Sequence, residues 1–246
     1  MKQTRVLPLL EGLGIDKKFN GFIALNAVNF HVVPGEAVGI VGPNGAGKTT
    51  LFSVLAGTFL PTAGRVRFSG QDITGHKASV RCRAGIVRTH QIPLPFLGMS
   101  VFENVLIAAH NGANLRGGEA EDCVVDSLER TQLINHANRP ALALGLLDRK
   151  RLELARALAT RPKIILLDEI CGGLTEAELR MMIKLISDLK AKALTIVWIE
   201  HILHALLTVI DRLVCMNTGA IIADGVPKEV MADKDVISAY LGSGVE

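Results

Sequence analysis

The sequence predicts an α/β fold, a core of strands and helices interrupted by a small helical lobe. Three observations carry this. A short apolar run, Ala37 to Val41, enters a glycine-rich loop that opens onto helical spacing. From about Pro93 to Arg156, apolar residues recur at helical intervals instead. After Lys163 the chain returns to buried strands alternating with amphipathic helices. At 246 residues, 49% hydrophobic and 21% charged, the chain can bury a large core, which excludes a disordered or fibrous protein. One unit with two lobes is expected, residues 1–92 and 157–246 forming the core and about 93–156 the helical insertion.

Taken in order, Gly21 to Val33 is rich in β-branched and aromatic residues, and Pro34-Gly35 then forces a turn. Ala37 to Val41 is a strand, Thr49 to Ala56 a helix, and Gly57 its stop. Arg65 to Phe68, closed by Ser69-Gly70, is another strand. Phe102 to His110 and Ala120 to Ile134 are helices separated by the glycine-rich Asn111 to Gly118. Lys163 to Leu167 is a buried strand. Thr175-Glu-Ala-Glu178 is a capping box, after which Leu179, Met182, Ile183, Ile186 and Leu189 line one helix face. Leu194 to Ile199 is a second core strand, and Met216 to Asp224, turning at Thr218-Gly219, is a hairpin.

Mean hydropathy is +0.34, yet the apolar runs Ile164 to Leu167 and Leu194 to Ile199 fall far short of the roughly 20 residues a spanning helix needs. The start, Met1-Lys-Gln-Thr-Arg-Val6, lacks the apolar run and cleavage site of a signal peptide. Cys82, Cys123, Cys171 and Cys215 have no metal-ligand spacing and read as reduced, mostly buried thiols. A net charge of +3 does not argue for nucleic acid. A soluble, intracellular chain is expected.

The chemistry concentrates in Gly42-Pro43-Asn44-Gly45-Ala46-Gly47-Lys48-Thr49, a full match to the phosphate-binding pattern G-x-x-x-x-G-K-[ST]. Small residues let backbone N–H groups curl around phosphate oxygens, and the following helix aims its positive end at them. Lys48 is placed to reach the β- and γ-phosphates, and the Thr49 hydroxyl to ligate Mg²⁺. A second site closes the buried strand Ile164-Ile-Leu-Leu-Asp168-Glu169, where two adjacent acids can divide two jobs. Asp168 can hold Mg²⁺ through its water shell, and Glu169 can orient or deprotonate an attacking water. His201 follows the strand Thr195 to Ile199, which should lie beside the one carrying Asp168. Gln91 is a neutral amide on the loop leading into the helical lobe.

The order of these residues resembles the ATP-binding subunit of an ABC transporter: phosphate loop, Gln91, the helix Arg149 to Ala159, Asp168-Glu169, then His201. The resemblance runs from about Leu10 to Leu241. Gly42 to Phe52, Gly85-Ile-Val-Arg-Thr-His-Gln91, Val101-Phe-Glu-Asn-Val105, Arg151 to Thr160 and Ala239-Tyr-Leu-Gly242 are similar to the branched-chain amino acid uptake type in particular. It implies a P-loop NTPase core with an antiparallel β subdomain and an inserted helical subdomain, with ATP and Mg²⁺ as cofactors. It implies that Phe19, in Lys17-Lys-Phe-Asn-Gly21, stacks on adenine, and that Thr50 joins Gly42 to Thr49 around the nucleotide. Gln91 would ligate Mg²⁺ and report nucleotide state to the helical lobe; Glu169 would be the general base and His201 the γ-phosphate switch. The partners implied are a second ATP-binding subunit, transmembrane permease subunits and, indirectly, a periplasmic or extracellular solute-binding protein, with no nucleic acid. The chain would sit on the cytoplasmic face of the membrane through the permease.

Two departures from the family pattern stand out. Ile170 replaces the usual Pro after the base. The Leu-Ser-Gly-Gly-Gln signature, counted back without gaps from Arg156, falls on Leu144-Gly145-Leu146-Leu147-Asp148, with the serine and both glycines gone. An alternative register, Leu142-Ala-Leu-Gly-Leu146, keeps one glycine but needs two extra residues before the helix; the ungapped one is favoured. The expected function is an ATPase powering a permease for branched-chain or related amino acids. The rivals are a nucleotide-gated regulatory subunit with little turnover and a soluble, non-transport ABC ATPase. A GTPase is disfavoured, because no Asn-Lys-x-Asp base-reading element occurs.

Overall fold

A computed structural model describes residues 7–241; the start, residues 1–6, and Gly242 of the closing segment lie outside the described residues. Strands β1 (Leu10–Phe19) and β2 (Phe22–Val32) form a long antiparallel hairpin, and β3 (Ala37–Val41) runs through the glycine loop into helix α1 (Lys48–Ala56). Strands β4 (Ala63–Phe68) and β5 (Gln71–Asp72), helix α2 (Ala78–Ala84) and strand β6 (Ile86–Arg88) follow. Three helices come next, α3 (Val101–Gly112), α4 (Gly117–Arg130) and α5 (Leu146–Ala159). The chain then alternates through β7 (Ile164–Asp168), α6 (Glu176–Ala191), β8 (Thr195–Ile199) and α7 (Leu203–Val209). It closes with the hairpin β9 (Arg212–Asn217) and β10 (Ala220–Gly225) and helices α8 (Pro227–Ala232) and α9 (Lys234–Leu241).

Two sheets result, giving the α/β fold. One is antiparallel, in the order β2-β1-β4-β5; the other runs β10-β9-β3-β8-β7-β6 and is parallel except for β10. Every residue of β3, β7 and β8 is buried, because helices or the second sheet cover both faces. Period-two alternation decides which side each residue serves. Val38, Ile40, Ile164, Leu166, Val197 and Ile199 face α1 and the antiparallel sheet. Val41, Ile165, Leu167, Ile196 and Trp198 face α6 and α7. A third apolar cluster joins α3, α4 and α5 through Val101, Val105, Val124, Leu128, Leu152 and Ala155.

Local chemistry accounts for most boundaries. Gly57 adopts φ 82° and caps α1, and both halves of the Thr175–Glu178 capping box are formed at α6. The helix expected over Ala120 to Ile134 stops at Arg130, a correction with a visible cause. Thr131 turns its hydroxyl back onto the Ser127 carbonyl at 2.8 Å, and Gln132 takes a left-handed φ of 60°, so the chain leaves the axis. On α6 the buried stripe contains Leu185, while Ile183 lies at its edge, only partly covered. Helices α2, α7, α8 and α9 and strands β1, β5 and β6 are additions to the sequence reading. Arg81 of α2 is fully buried, and its guanidinium donates to the Val54 and Leu55 carbonyls at 2.7 and 2.8 Å, finishing the C-terminus of α1. Burial without a carboxylate in contact pushes its pKa down to about 10. Among the described residues, no helix is long and apolar enough to cross a membrane.

Candidate functional site

The phosphate loop joins the C-terminal end of β3 to the N-terminus of α1, so loop amides and helix dipole point to one place. Two glycines are there for space. A Cβ on Gly42, at φ 146°, would sit 2.1 Å from the Met216 carbonyl oxygen. One on Gly47, at φ 98°, would meet the Ala24 carbonyl oxygen at 2.6 Å. The loop is therefore clamped between β2 and the β9–β10 turn, and Gly219 N donates to Ala46 O at 3.1 Å. Lys48 is 6% exposed, and its ammonium donates to the Gly42 and Pro43 carbonyls at 2.7 and 3.0 Å. Burial lowers its pKa, an effect partly countered by the Glu169 charge. Two of its three donors hold the loop; the third is free to meet a phosphate oxygen. Asn44, Gly45 and Thr49 are exposed along the rim, Pro43 and Thr50 half-buried.

The acid pair arrives from β7 of the same sheet, separated from β3 by β8. Parallel pairing sets Asp168 of β7 opposite Ile199 of β8, which brings the residues after each strand side by side. Glu169 is held in a left-handed conformation, φ 47°, and its amide donates to the Ile199 carbonyl at 2.9 Å. Its carboxylate receives two neighbours: Gln91 Nε2 donates to Oε2 at 2.5 Å, and His201 Nε2 lies 2.7 Å from Oε1. Three residues from three separate loops therefore meet at one carboxyl group. Asp168 is 3% exposed and bridges to Arg88 Nη2 at 2.6 Å through Oδ2. The hydroxyl of Thr49, the amide oxygen of Gln91 and the Asp168 carboxylate are hard oxygen donors, a set that suits Mg²⁺.

Sequence reasoning missed the supports of this site. Glu200 is 3% exposed and accepts from Trp198 Nε1 at 3.3 Å and from the Cys171 amide at 3.1 Å, bracing the loop after Glu169. Its burial raises its carboxyl pKa against those hydrogen bonds. The only sequence signal for Glu200 was an acid beside His201. Arg88 sits inside the Gly85 to Gln91 segment but had no visible partner. Ile170 and Cys171 are buried among the residues beneath α6, so the loop is anchored by apolar packing where a proline was expected.

Phe19 is at the end of β1, close to the β1–β2 turn, and is 37% exposed. Its ring packs edge-on to Phe59 with centroids 5.4 Å apart, and Lys17 Nζ lies 4.8 Å from its centroid. At the other predicted loop, Gly145 is the N-cap of α5 with no side-chain cap, and Leu146, Leu147 and Asp148 form the first turn. The first helical bond runs from Arg149 N to Gly145 O at 3.0 Å, so the preceding amides are left as donors at an exposed helix start. Leu146 is 45% exposed, Leu147 packs on the core, and Leu144 is buried with the helical cluster. Asp148 lies 3.3 Å from both Arg151 Nη1 and His136 Nδ1.

Residues 25–172 match the family model described as ABC transporter, and residues 220–246 match one described as branched-chain amino acid ATP-binding cassette transporter. The chain is 38% identical over 250 residues to the high-affinity branched-chain amino acid transport ATP-binding protein BraF of Pseudomonas aeruginosa, covering 96% of this chain and 98% of that one. It is 38% identical over 252 residues to the LivG protein of Escherichia coli, with the same coverage of 96% and 98%. Among solved structures, the ADP conformation of an ATP-binding cassette of an ABC transporter superposes with a TM-score of 0.88 at 35% identity, covering 96% of this chain and 99% of that one. A cassette solved as a dimer in a post-hydrolysis state, bound to ADP and Pi, gives 0.76 at 25% identity over 88% and 98% of the two chains.

Proposed function

This chain belongs to the ABC transporter family of ATP-binding proteins, and from that premise we propose that it is the ATPase subunit of an importer for branched-chain or related amino acids. The chain is an ATPase. The observation that carries the mechanism is the convergence of Gln91 and His201 on Glu169, in line with the phosphate loop across one sheet.

In this reading the amides of Gly42 to Thr50 and the Lys48 ammonium hold the β- and γ-phosphates, and Phe19 packs against the adenine. Mg²⁺, held by Thr49, Gln91 and Asp168, would neutralise charge on the β- and γ-oxygens. Glu169 accepts a proton from the attacking water as its oxygen bonds to the γ-phosphorus and the bond to the ADP oxygen breaks. His201 stands between that carboxylate and the γ-phosphate and senses whether it is present. Gln91 links the same carboxylate to the loop entering the helical lobe, residues 93–156, so nucleotide state can move that lobe. Ile92, Leu94, Phe96 and Leu97, all exposed, lie on this loop and suit the apolar contact of a permease segment. Attachment to the membrane would come from that contact.

A second ATP-binding subunit would close over the site, its signature loop facing the nucleotide on Lys48. Gly145, which takes the serine position in the ungapped register, is the N-cap of α5, which supports Leu144 to Asp148 as this chain's own contribution to the opposite site. The helix start keeps backbone donors, but no serine hydroxyl, and it adds an acid. That observation favours, as a second reading, a subunit with low turnover in its own homodimer. The test of the main reading is Lys48→Ala, which removes the ammonium aimed at the transferring phosphate. MgATP affinity should collapse, and unchanged affinity in a nucleotide titration would count against the reading as a whole. Co-purification of permease chains from the native source would check the partners.

A further inference from the structure

Arg88, at the end of β6, has no part in the chemistry above, yet its guanidinium joins two elements of the site. Its side chain is 11% exposed and that of Asp168 is 5% exposed, so both charges are largely out of water. The fork spans two acceptors. Nη2 donates to Asp168 Oδ2 at 2.6 Å and Nη1 to Ser53 Oγ at 2.9 Å. Ser53 in turn donates to the Thr49 carbonyl at 2.7 Å, one turn back along α1. The guanidinium carbon lies 6.0 Å from the centroid of the Phe52 ring, which limits where the group can swing. Among the described residues, no protein donor meets Asp168 Oδ1.

We propose that Arg88 is a positioning residue for the metal-binding carboxylate, tying Asp168 to the helix that carries Thr49 so that their oxygens keep a fixed separation. The proposal rests on the nucleotide-binding reading above. A carboxylate at a strand end can rotate about its last bond and present either oxygen. With Oδ2 committed to Arg88, Oδ1 is the oxygen left for the metal's water shell. The planar fork suits this, because its two Nη groups donate in fixed, separate directions, whereas a lysine ammonium is a compact point charge on a flexible stem whose donors rotate freely. The supporting partners of metal ligands typically matter by roughly 10- to 100-fold in metal affinity. Gln91 lies three residues beyond Arg88 on the same segment, so the third oxygen donor is referred to the same anchor.

A purely structural ion pair would affect every kind of ligand binding alike, whereas a positioning role is specific to the metal. The full chain and its R88Q, R88K and S53A variants are titrated with ATP in excess EDTA, then with MgCl₂ at fixed ATP. ATP affinity in EDTA should stay unchanged in all three. The MgCl₂ midpoint should rise roughly 10- to 100-fold in R88Q and by less in R88K and S53A. An unmoved midpoint in R88Q, or equal losses with and without metal, overturns the proposal. Should R88Q give no cooperative melt, S53A decides: it removes the other anchor without stranding a charge, and an unmoved midpoint there overturns the proposal equally. Failure of the unmodified chain to bind ATP under either condition would instead overturn the nucleotide reading.

Discussion

Replacing Glu169 by Gln separates chemistry from binding at this site. The amide has the same shape, stays next to Gln91 and His201, and cannot accept a proton from water. General-base catalysis supplies about 10²- to 10⁴-fold in rate, which is about 2.7–5.4 kcal/mol of barrier at 1.36 kcal/mol per decade. The structure also bounds the folding cost. Glu169 uses one oxygen for Gln91 at 2.5 Å and the other for His201 at 2.7 Å, and an amide retains a single acceptor. The contact with His201 loses its charge, surviving only if the amide donates to the ring nitrogen, and His201 is 49% exposed at the side chain, so water replaces part of it. The net loss is about 1 kcal/mol, or a fall in Tm of about 2–4 °C for a chain of this size. ATP affinity should be retained, since neither Lys48 nor the loop amides change. Steady-state phosphate release by the assembled transporter is the assay, with ATP binding and melting measured on the same sample. A rate loss under about tenfold would mean that Glu169 is not the base. A melting shift several times larger than that forecast would mean that its role is structural.

The purified single chain should hydrolyse ATP slowly, because its homodimer offers Leu146 and Leu147 in place of glycines and lacks one donor, a loss of about 2.7–4 kcal/mol or roughly 10²- to 10³-fold. Adding a partner subunit with an intact signature should restore turnover that depends on Glu169, and fast cooperative hydrolysis by the single chain would sink the idea. Gly42→Ala should destabilise more than Gly45→Ala in thermal melts. The Gly42 Cβ would lie 2.1 Å from the Met216 carbonyl oxygen while nothing comes within 4 Å at Gly45, so equal shifts would contradict the clamped-loop description. Thr175→Ala removes the capping box of α6 and should cost about 0.5–2 kcal/mol without altering ATP affinity, read by melting and by titration on the same protein.

Much of this architecture was legible because it depends on neighbours in sequence. The β3–loop–α1 unit needs a five-residue apolar run, small residues and a helix former in fixed order, and all lie within residues 37–56. The α6 start is equally local, since Thr175 and Glu178 satisfy each other's amides. Where the Ala120 to Ile134 helix ended was not legible, because apolar periodicity continues past the point at which Thr131 and Gln132 turn the chain.

The sequence by itself determined which residue types the site could draw on and the order in which they occur. It carried the phosphate loop, the acid pair Asp168-Glu169, and the amide and imidazole at Gln91 and His201. It could not say what each would touch. Gln91 and Glu169 are 78 residues apart and His201 another 32 beyond; they meet because β6, β7 and β8 pair side by side in parallel register. Arg88 and Asp168 are 80 residues apart, and neither residue type signals such a pairing in advance. Register, burial and the sharing of hydrogen bonds arise when strands distant in the chain are packed together, because only then is water removed and each buried charge forced to take a partner.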